Sequence, residues 1–210
     1  MDAKFWHERW EQNNIGFHLS EANPLLVRYF DRLNLPKGAR IFLPLCGKTR
    51  DIAWLLANGY RVVGAELSKL AIEQLFHELG VVPEIFDLGD VTRYSSAGID
   101  IFVGDFFRLS TDSLGSVDAV YDRAALVALP EEMRHRYSPH LMQITNQAPQ
   151  LLITYEYNQA QMDGPPFSIS QDEVRKRYEE RYHVIELGSA AVKMKGHVEA
   201  KERIWLLMGR

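Results

Sequence analysis

The chain has one cysteine, Cys46, among 210 residues, so no internal disulfide can form and a disulfide scaffold is excluded. Its seven histidines show no H-E-x-x-H pattern and no second cysteine to pair with, so no metal site is expected. Positive charge is not in excess. Lys and Arg number 24 against 28 Asp and Glu, a formal net charge of -4, which supplies no basic field for nucleic acid or anionic lipid. Long apolar runs are missing too. None approaches the ~18 residues of a spanning helix, and the opening "MDAKFWHERW" lacks the apolar core of a signal peptide. These absences point to a cytoplasmic protein with a small-molecule partner, no nucleic acid and no membrane. With no repeat, low-complexity tract or dividing linker, a single domain over 1–210 is expected, and nothing suggests an obligate dimer, so a monomer is expected.

What is present is an alternation of apolar runs with amphipathic stretches, the signature of an α/β sheet covered by helices. The runs are "RIFLPL" (Arg40 to Leu45), "YRVVGAEL" (Tyr60 to Leu67), "IDIFVGD" (Ile99 to Asp105), "VDAVYD" (Val117 to Asp122) and "QLLITYEY" (Gln150 to Tyr157). Between the first two, Ile52, Leu55 and Leu56 share a helical face from about Thr49 to Asn58, with Gly59 as left-handed cap. Ser68 suits the N-cap of a second helix, in which Ile72, Leu75, Phe76 and Leu79 recur before Gly80. Later, "NQAQMDGPPFSIS" is rich in turn formers and reads as a loop over 158–168. A short helix, "SQDEVRKRYEE", then leads to two further strand candidates, "YHVIELGS" and "RIWLLMGR". The residues before the sheet, 1–38, are expected to pack as helices near Ala3 to Gln12 and Pro24 to Leu33, covering a core of 39–210.

The loop after the first run ends in Gly47-Lys48-Thr49, like a nucleoside-triphosphate loop. That loop also needs a glycine where this chain has Phe42, inside the strand, so the phosphate reading fails. A dinucleotide loop wants three glycines, and this one has Gly47 alone. Glu66 lies about 20 residues farther on, at the end of the second run, where α/β sheets present a carboxylate to ribose hydroxyls. One glycine and that acid describe a nucleoside without a pyrophosphate, and the competing reading has Glu66 capping the next helix. Cys46 has no histidine beside it in sequence and reads as a packed residue. Lys48 and Thr49 read as a solvated side chain and a helix N-cap.

The segments "WHERWEQNNIGFH" (Trp6 to His18), "FLPLCGK" (Phe42 to Lys48), "VVGAELS" (Val62 to Ser68), "YDRAALVAL" (Tyr121 to Leu129) and "GPPF" (Gly164 to Phe167) resemble, in order and over nearly the whole chain, the motifs of thiopurine S-methyltransferases of bacterial type. The resemblance implies a class I S-adenosylmethionine-dependent methyltransferase fold, Rossmann-like, with a seven-stranded mixed sheet and helices on both faces. It implies S-adenosylmethionine as cofactor and a methyl acceptor that is an aromatic or heterocyclic thiol such as a thiopurine, with selenium and tellurium species as further acceptors. Carried over, the donor contacts fall on Trp6, Trp10, Leu45, Gly47, Glu66, Asp105, Phe106 and Arg123. Phe17 matches an aromatic position between donor and acceptor. Beyond the resemblance, Arg123 reads as the catalytic position that steers the acceptor's anionic edge, with Phe17, Pro166 and Phe167 at the acceptor and the 158–168 loop as an apolar lid.

Elementary chemistry agrees with much of this. Trp6 and Trp10 stand four apart and share a helix face, where indoles suit an adenosine or a sulfonium cation; the alternative is that both are core. Arg123 follows the fourth run, in the crevice where such sheets bind ligands; the alternative is a salt bridge to Asp122 or another surface acid. A soft thiolate attacks carbon with little help, so the expected work is alignment and desolvation, with no obligatory acid or base. Rival readings are a halide or thiocyanate methyltransferase, a nicotinamide-dependent oxidoreductase and a non-catalytic S-adenosylmethionine sensor.

Overall fold

The architecture is seen in a computed structural model that describes residues 3–210. Helices α1 (Ala3–Glu11) and α2 (Pro24–Tyr29) come first, the latter continued by a 3-10 turn at Phe30–Leu33. There follow β1 (Arg40–Leu43), α3 (Arg50–Ala57), β2 (Arg61–Glu66), α4 (Lys69–Leu79), β3 (Glu84–Asp87), β4 (Val91–Ser96), β5 (Ile99–Gly104) and the short α5 (Thr111–Leu114). The rest is β6 (Ala119–Arg123), α6 (Glu131–Ile144), β7 (Gln150–Glu156), α7 (Gln171–Tyr178), β8 (Tyr182–Met194) and β9 (Val198–Gly209).

Among the described residues, nine strands form one sheet in the order β3-β4-β5-β2-β1-β6-β7-β9-β8. The middle, β5-β2-β1-β6-β7, is parallel, and the outer pairings are antiparallel. From β1 the chain first builds outward through β2 and β5, then returns to the other side for β6 and β7. That reversal opens a crevice at the carboxyl ends of β1 and its neighbours, where open α/β sheets hold ligands.

The apolar runs are continuous because both faces are covered. Ile41 and Leu43 turn toward α2, α3 and α4 in one core, while Phe42 turns toward α6 and α7 in the other. Each side chain so buried contributes about 1.5–3 kcal/mol. Local signals set the helix ends: Thr49 Oγ1 accepts from Asp51 N–H at the start of α3, and Ser68 Oγ accepts from Ala71 N–H at the start of α4. Gly59 and Gly80, at φ 79° and 70°, close those helices in the left-handed region that glycine reaches without strain.

The expected seven strands are corrected to nine. The two unforeseen ones, β3 and β4, form a hairpin at the sheet edge, turning at Gly89 (φ 85°). An edge hairpin has no second face to bury. β3, "EIFD", is exposed along its whole length, and β4 buries only Val91 and Tyr94, so neither carries the apolar run of a central strand. No helix among the described residues is long and apolar enough to cross a membrane.

Candidate active site

At the carboxyl end of β1 the chain turns sharply, with Leu45 at φ 47° and Gly47 at φ 52°. A left-handed leucine is a strained choice, of the kind that gathers at functional sites. Cys46 N–H donates to Ala65 O at 2.9 Å, which ties the loop to β2. A Cβ on Gly47 would stand 3.0 Å from the Trp10 ring, so the glycine lets the indole close on the loop. Glu66, at the end of β2, is buried and accepts two backbone hydrogen bonds, from Gly47 N–H to Oε2 and from Ser68 N–H to Oε1, each at 2.8 Å. Burial pushes its carboxyl up, and those N–H groups oppose the shift. The Ser68 contact is the capping role weighed for it, and the Gly47 contact adds a second role. Each oxygen keeps a lone pair for a ligand.

α1 roofs this loop. Trp6 and Trp10 both meet Phe17 edge-on, at ring separations of 6.0 and 5.6 Å. On the far side of the loop, Asp105 caps the 3-10 turn Phe106–Arg108 by accepting from Phe107 N–H at 3.0 Å. Phe106 stacks nearly parallel on Phe42.

Arg123, the last residue of β6, donates from one terminal nitrogen to Phe17 O at 2.9 Å, while its Nε is buried without a hydrogen-bond partner among the described residues. Burial disfavours the cation, but Tyr155, Tyr121, Asp51 and Glu202 around it outweigh that and hold the guanidinium above its ordinary value. The alternative partner, Asp122, faces the other side of the sheet, where it accepts from Tyr137 O–H at 2.7 Å and Leu126 N–H at 3.1 Å. There burial raises it to about 6. Ala124, beside Arg123, is a second non-glycine residue in the left-handed region, at φ 63°.

The 158–168 loop is pinned rather than loose. Tyr157 O–H donates to Pro166 O at 2.7 Å, Gln159 Nε2 to Met162 O at 2.6 Å, and Phe167 N–H to Val127 O at 2.6 Å. Pro165 and Pro166 face the crevice. Phe167, expected at the acceptor, does not: its ring fills the space above Gly164 and lies under the Arg134 guanidinium. The reason is Gly164 itself, at φ 79°, which folds the chain so that the ring turns back against it.

One cavity of about 850 Å³ joins these features. Its wall includes Trp6, Trp10, Leu45, Gly47, Glu66, Asp105, Phe106, Phe17, Arg123 and Pro166. Met162 of the expected lid loop also lines it, and residues not anticipated join the wall: Tyr155 on β7, Glu202 on β9, and the tip of the β8–β9 hairpin around Val192 to Lys195. Glu202 had a signal in the sequence, since it interrupts the alternation of Val198, Ala200 and Ile204 along the buried side of a strand. Tyr155 O–H donates to its Oε1 at 3.0 Å.

Cys46 is buried, and burial followed by the Glu66 charge pushes its thiol well up, so it stays neutral and packed. Lys48 Nζ pairs with Glu78 at 2.7 Å instead of waiting for a phosphate. The cavity suits S-adenosylmethionine on its donor set. A single left-handed glycine and a buried carboxylate stand where a nucleoside needs them, aromatic faces stand where a sulfonium needs them, and the volume is that of a cofactor site.

Comparison with known proteins gives the same picture. The family model described as thiopurine S-methyltransferase matches residues 1–207. A thiopurine S-methyltransferase of Xanthobacter autotrophicus (strain ATCC BAA-1158 / Py2) is 56% identical over 210 residues, covering 99% of each chain. Its counterpart in Gluconobacter oxydans (strain 621H) is 45% identical, covering 98% of this chain and 96% of that one. Among solved structures, the Synechocystis PCC 6803 magnesium protoporphyrin IX methyltransferase with bound SAM superposes with a TM-score of 0.65 at 12% identity, covering 100% of this chain and 98% of the other. The Burkholderia thailandensis 1,6-didemethyltoxoflavin-N1-methyltransferase with bound S-adenosylhomocysteine gives 0.66 at 14% identity, covering 98% and 87%. The fold is therefore the class I methyltransferase fold and the cofactor S-adenosylmethionine, and with nearly its whole length matched, the chain belongs to the thiopurine S-methyltransferase family.

Proposed function

We propose that this methyltransferase methylates the sulfur of aromatic and heterocyclic thiols, thiopurines among them. Trp6, Trp10, Leu45, Gly47, Glu66, Asp105 and Phe106 surround the donor, Phe17 and Pro166 line the acceptor's side, and Arg123 stands between. The observation that carries this reading is Arg123, a half-buried guanidinium on the cavity wall at the junction of the two sides, fixed by its bond to Phe17 O and held charged by its neighbours. Its open edge favours an anionic sulfur or ring edge over a neutral, polar nucleophile.

When bound, S-adenosylmethionine supplies a methyl carbon made electrophilic by its sulfonium. The chain's part is positioning. Glu66 holds its oxygens fixed toward the ribose hydroxyls through two backbone N–H groups, so no side-chain reorganisation accompanies binding. The edge-on set of Trp6, Trp10 and Phe17 offers π-faces and ring edges to the cation and its substrate. Pro165, Pro166 and Met162 exclude water from the acceptor's side, which strengthens the field of Arg123 there.

The test is a methyl-transfer screen with labelled donor over thiophenols, heterocyclic thiones, selenols, selenite, tellurite and halides. Turnover of aromatic thiols and thiones ahead of the other classes is expected. A preference for halide or thiocyanate would replace the proposal with the small-anion reading, and donor binding without turnover of any class would leave a sensor.

A further inference from the structure

At the carboxyl-end rim, on one face of the sheet, a row of polar side chains crosses three adjacent strands. Arg123 on β6 pairs in register with Ile153 on β7, and Tyr155, two residues on, pairs with Glu202 on β9. Alternation along each strand puts Tyr121, Arg123, Tyr155 and Glu202 on the same side. From above, Asn23 at the start of α2 and Asp51 in the first turn of α3 close over them. Asn23 N–H donates to Asp51 Oδ1 at 2.7 Å and its Nδ2 to Glu202 Oε1 at 3.3 Å, while Tyr121 O–H donates to Asp51 Oδ2 at 3.1 Å.

The acids of the cavity region differ in how fully they are bonded and in which way they face. Both oxygens of Asp51 are taken, by Asn23 N–H on one side and by Tyr121 and Thr49 hydroxyls on the other. Each oxygen of Glu66 already holds a backbone N–H and sits at the β1–β2 side of the cavity. Asp105 is exposed and caps the Phe106–Arg108 turn through Oδ1. Asp122 lies on the opposite face. Glu202 differs: Tyr155 and Asn23 both bond to Oε1, and no hydrogen bond reaches Oε2 from the described residues. The carboxylate lines the cavity and makes no salt bridge with Arg123, whose influence on it is through space.

We infer that Glu202 is a catalytic residue that accepts the ring N–H proton of heterocyclic thione acceptors. The inference rests on the sulfur-acceptor reading above. Such heterocycles exist largely as thiones, with the proton on the nitrogen beside C=S and the sulfur a poor nucleophile. The N–H proton passes to Glu202 Oε2. The N–H electron pair becomes the ring C=N bond, and the C=S π pair becomes a lone pair on sulfur. That sulfur bonds the methyl carbon as the carbon–sulfonium bond breaks, its pair staying with the departing sulfur. The neutral S-methyl heterocycle leaves, and Glu202 returns its proton to water. Tyr155 and Asn23 fix Oε1 and so aim Oε2. Arg123 stabilises charge developing on the acceptor, and Tyr121 and Asp51 are the remaining titratable groups facing this pair.

The experiment compares 2-mercaptobenzimidazole, a thione with ring N–H groups, with thiophenol, which has none, in the wild type, Glu202→Gln and Tyr155→Phe. Glutamine keeps an oxygen for Tyr155 and Asn23 but cannot accept the proton. The ratio of kcat/KM for the thione over the thiophenol is expected to fall about a hundredfold in Glu202→Gln and less in Tyr155→Phe. At subsaturating thione, well below its own pKa, the wild-type rate should be level with pH, whereas the Glu202→Gln rate should climb as the thione ionises. Donor binding in calorimetry, unchanged from the wild type, reports that each variant is folded. A ratio unchanged in Glu202→Gln, or loss of both acceptors together with donor still bound, overturns the inference. So does a level profile that survives Glu202→Gln and is lost in His18→Asn. If the wild type methylates neither acceptor, the sulfur-acceptor reading itself falls, and the inference with it.

Discussion

Glu66 accepts the N–H of Gly47 across the gap between β1 and β2, at 2.8 Å, with no intervening residue. The acid expected to hold a ribose therefore also sets the loop beside it, and a change of charge there has two effects. Hydrogen bonds to a charged group contribute about 1.5–3 kcal/mol each. We predict that Glu66→Ala weakens donor binding by about ten- to a hundredfold in calorimetry. Glu66→Gln should also lower thermal stability, because its amide nitrogen must face either Gly47 N–H or Ser68 N–H, donor against donor. Unchanged donor affinity in a folded Glu66→Ala variant would reduce the residue to a helix cap.

Gly47→Ala sets a left-handed backbone against an L side chain and a methyl against Trp10. The left-handed conformation alone costs about 1–2 kcal/mol, and the indole stands too close to ignore. Donor affinity is expected to fall by at least about tenfold, with a shift in tryptophan fluorescence as Trp10 is displaced. A spectrum and affinity matching the wild type would remove the loop from the donor's surroundings.

Arg123 serves both as a charge and as a strut under Phe17. We predict that Arg123→Ala lowers kcat/KM most for thiols that carry a negative charge, by about a hundredfold, and less for neutral ones. Arg123→Lys keeps the charge, loses the planar fork and should fall between. Equal losses across both acceptor classes would leave only the strut.

Asp122 supplies a pH dependence. Its folded value of about 6 lies above the ordinary 3.8 because it is buried, so the folded state holds the proton more tightly than the unfolded chain does. The sign follows: its contribution to stability is greatest below about 3.8 and is lost as pH rises through about 6. Asp122→Asn, which keeps an oxygen for Tyr137, is expected to become more stable relative to the wild type on going from pH 4 to pH 8. The change between those two pH values is about 2 kcal/mol, read from chemical denaturation at each. A relative stability independent of pH would show that Asp122 is not perturbed.

Central elements were legible in the sequence because they satisfy several rules at once. Val62 to Ala65 is apolar on both faces, Thr49 and Ser68 cap, and Gly59 and Gly80 stop the helices they follow. The β3–β4 hairpin was not, because an edge strand such as Glu84–Asp87 buries nothing and leaves no hydrophobic record. In the site, Gly47 and Glu66 could be found from their spacing on adjacent strands. Phe167 was misplaced because the motif around Gly164 says which residues are near the cavity but not which way a ring turns. Tyr155 and Glu202 meet only through the register of β7 with β9, 47 residues apart in the chain, and no local pattern encodes that pairing.

That same register has a consequence for how the enzyme is made. β9 lies between β7 and β8, and β8 pairs with no other strand. A chain growing from its N-terminus can assemble β1, β2 and the Gly47–Glu66 contact while β8 still lacks a neighbour. Only when the final strand slots in does the hairpin dock, bringing Glu202 against Tyr155 in the same event. The Gly47–Glu66 side of the cavity is thus built from strands made before the Tyr155–Glu202 side, and a chain cut ahead of β9 lacks the second side altogether.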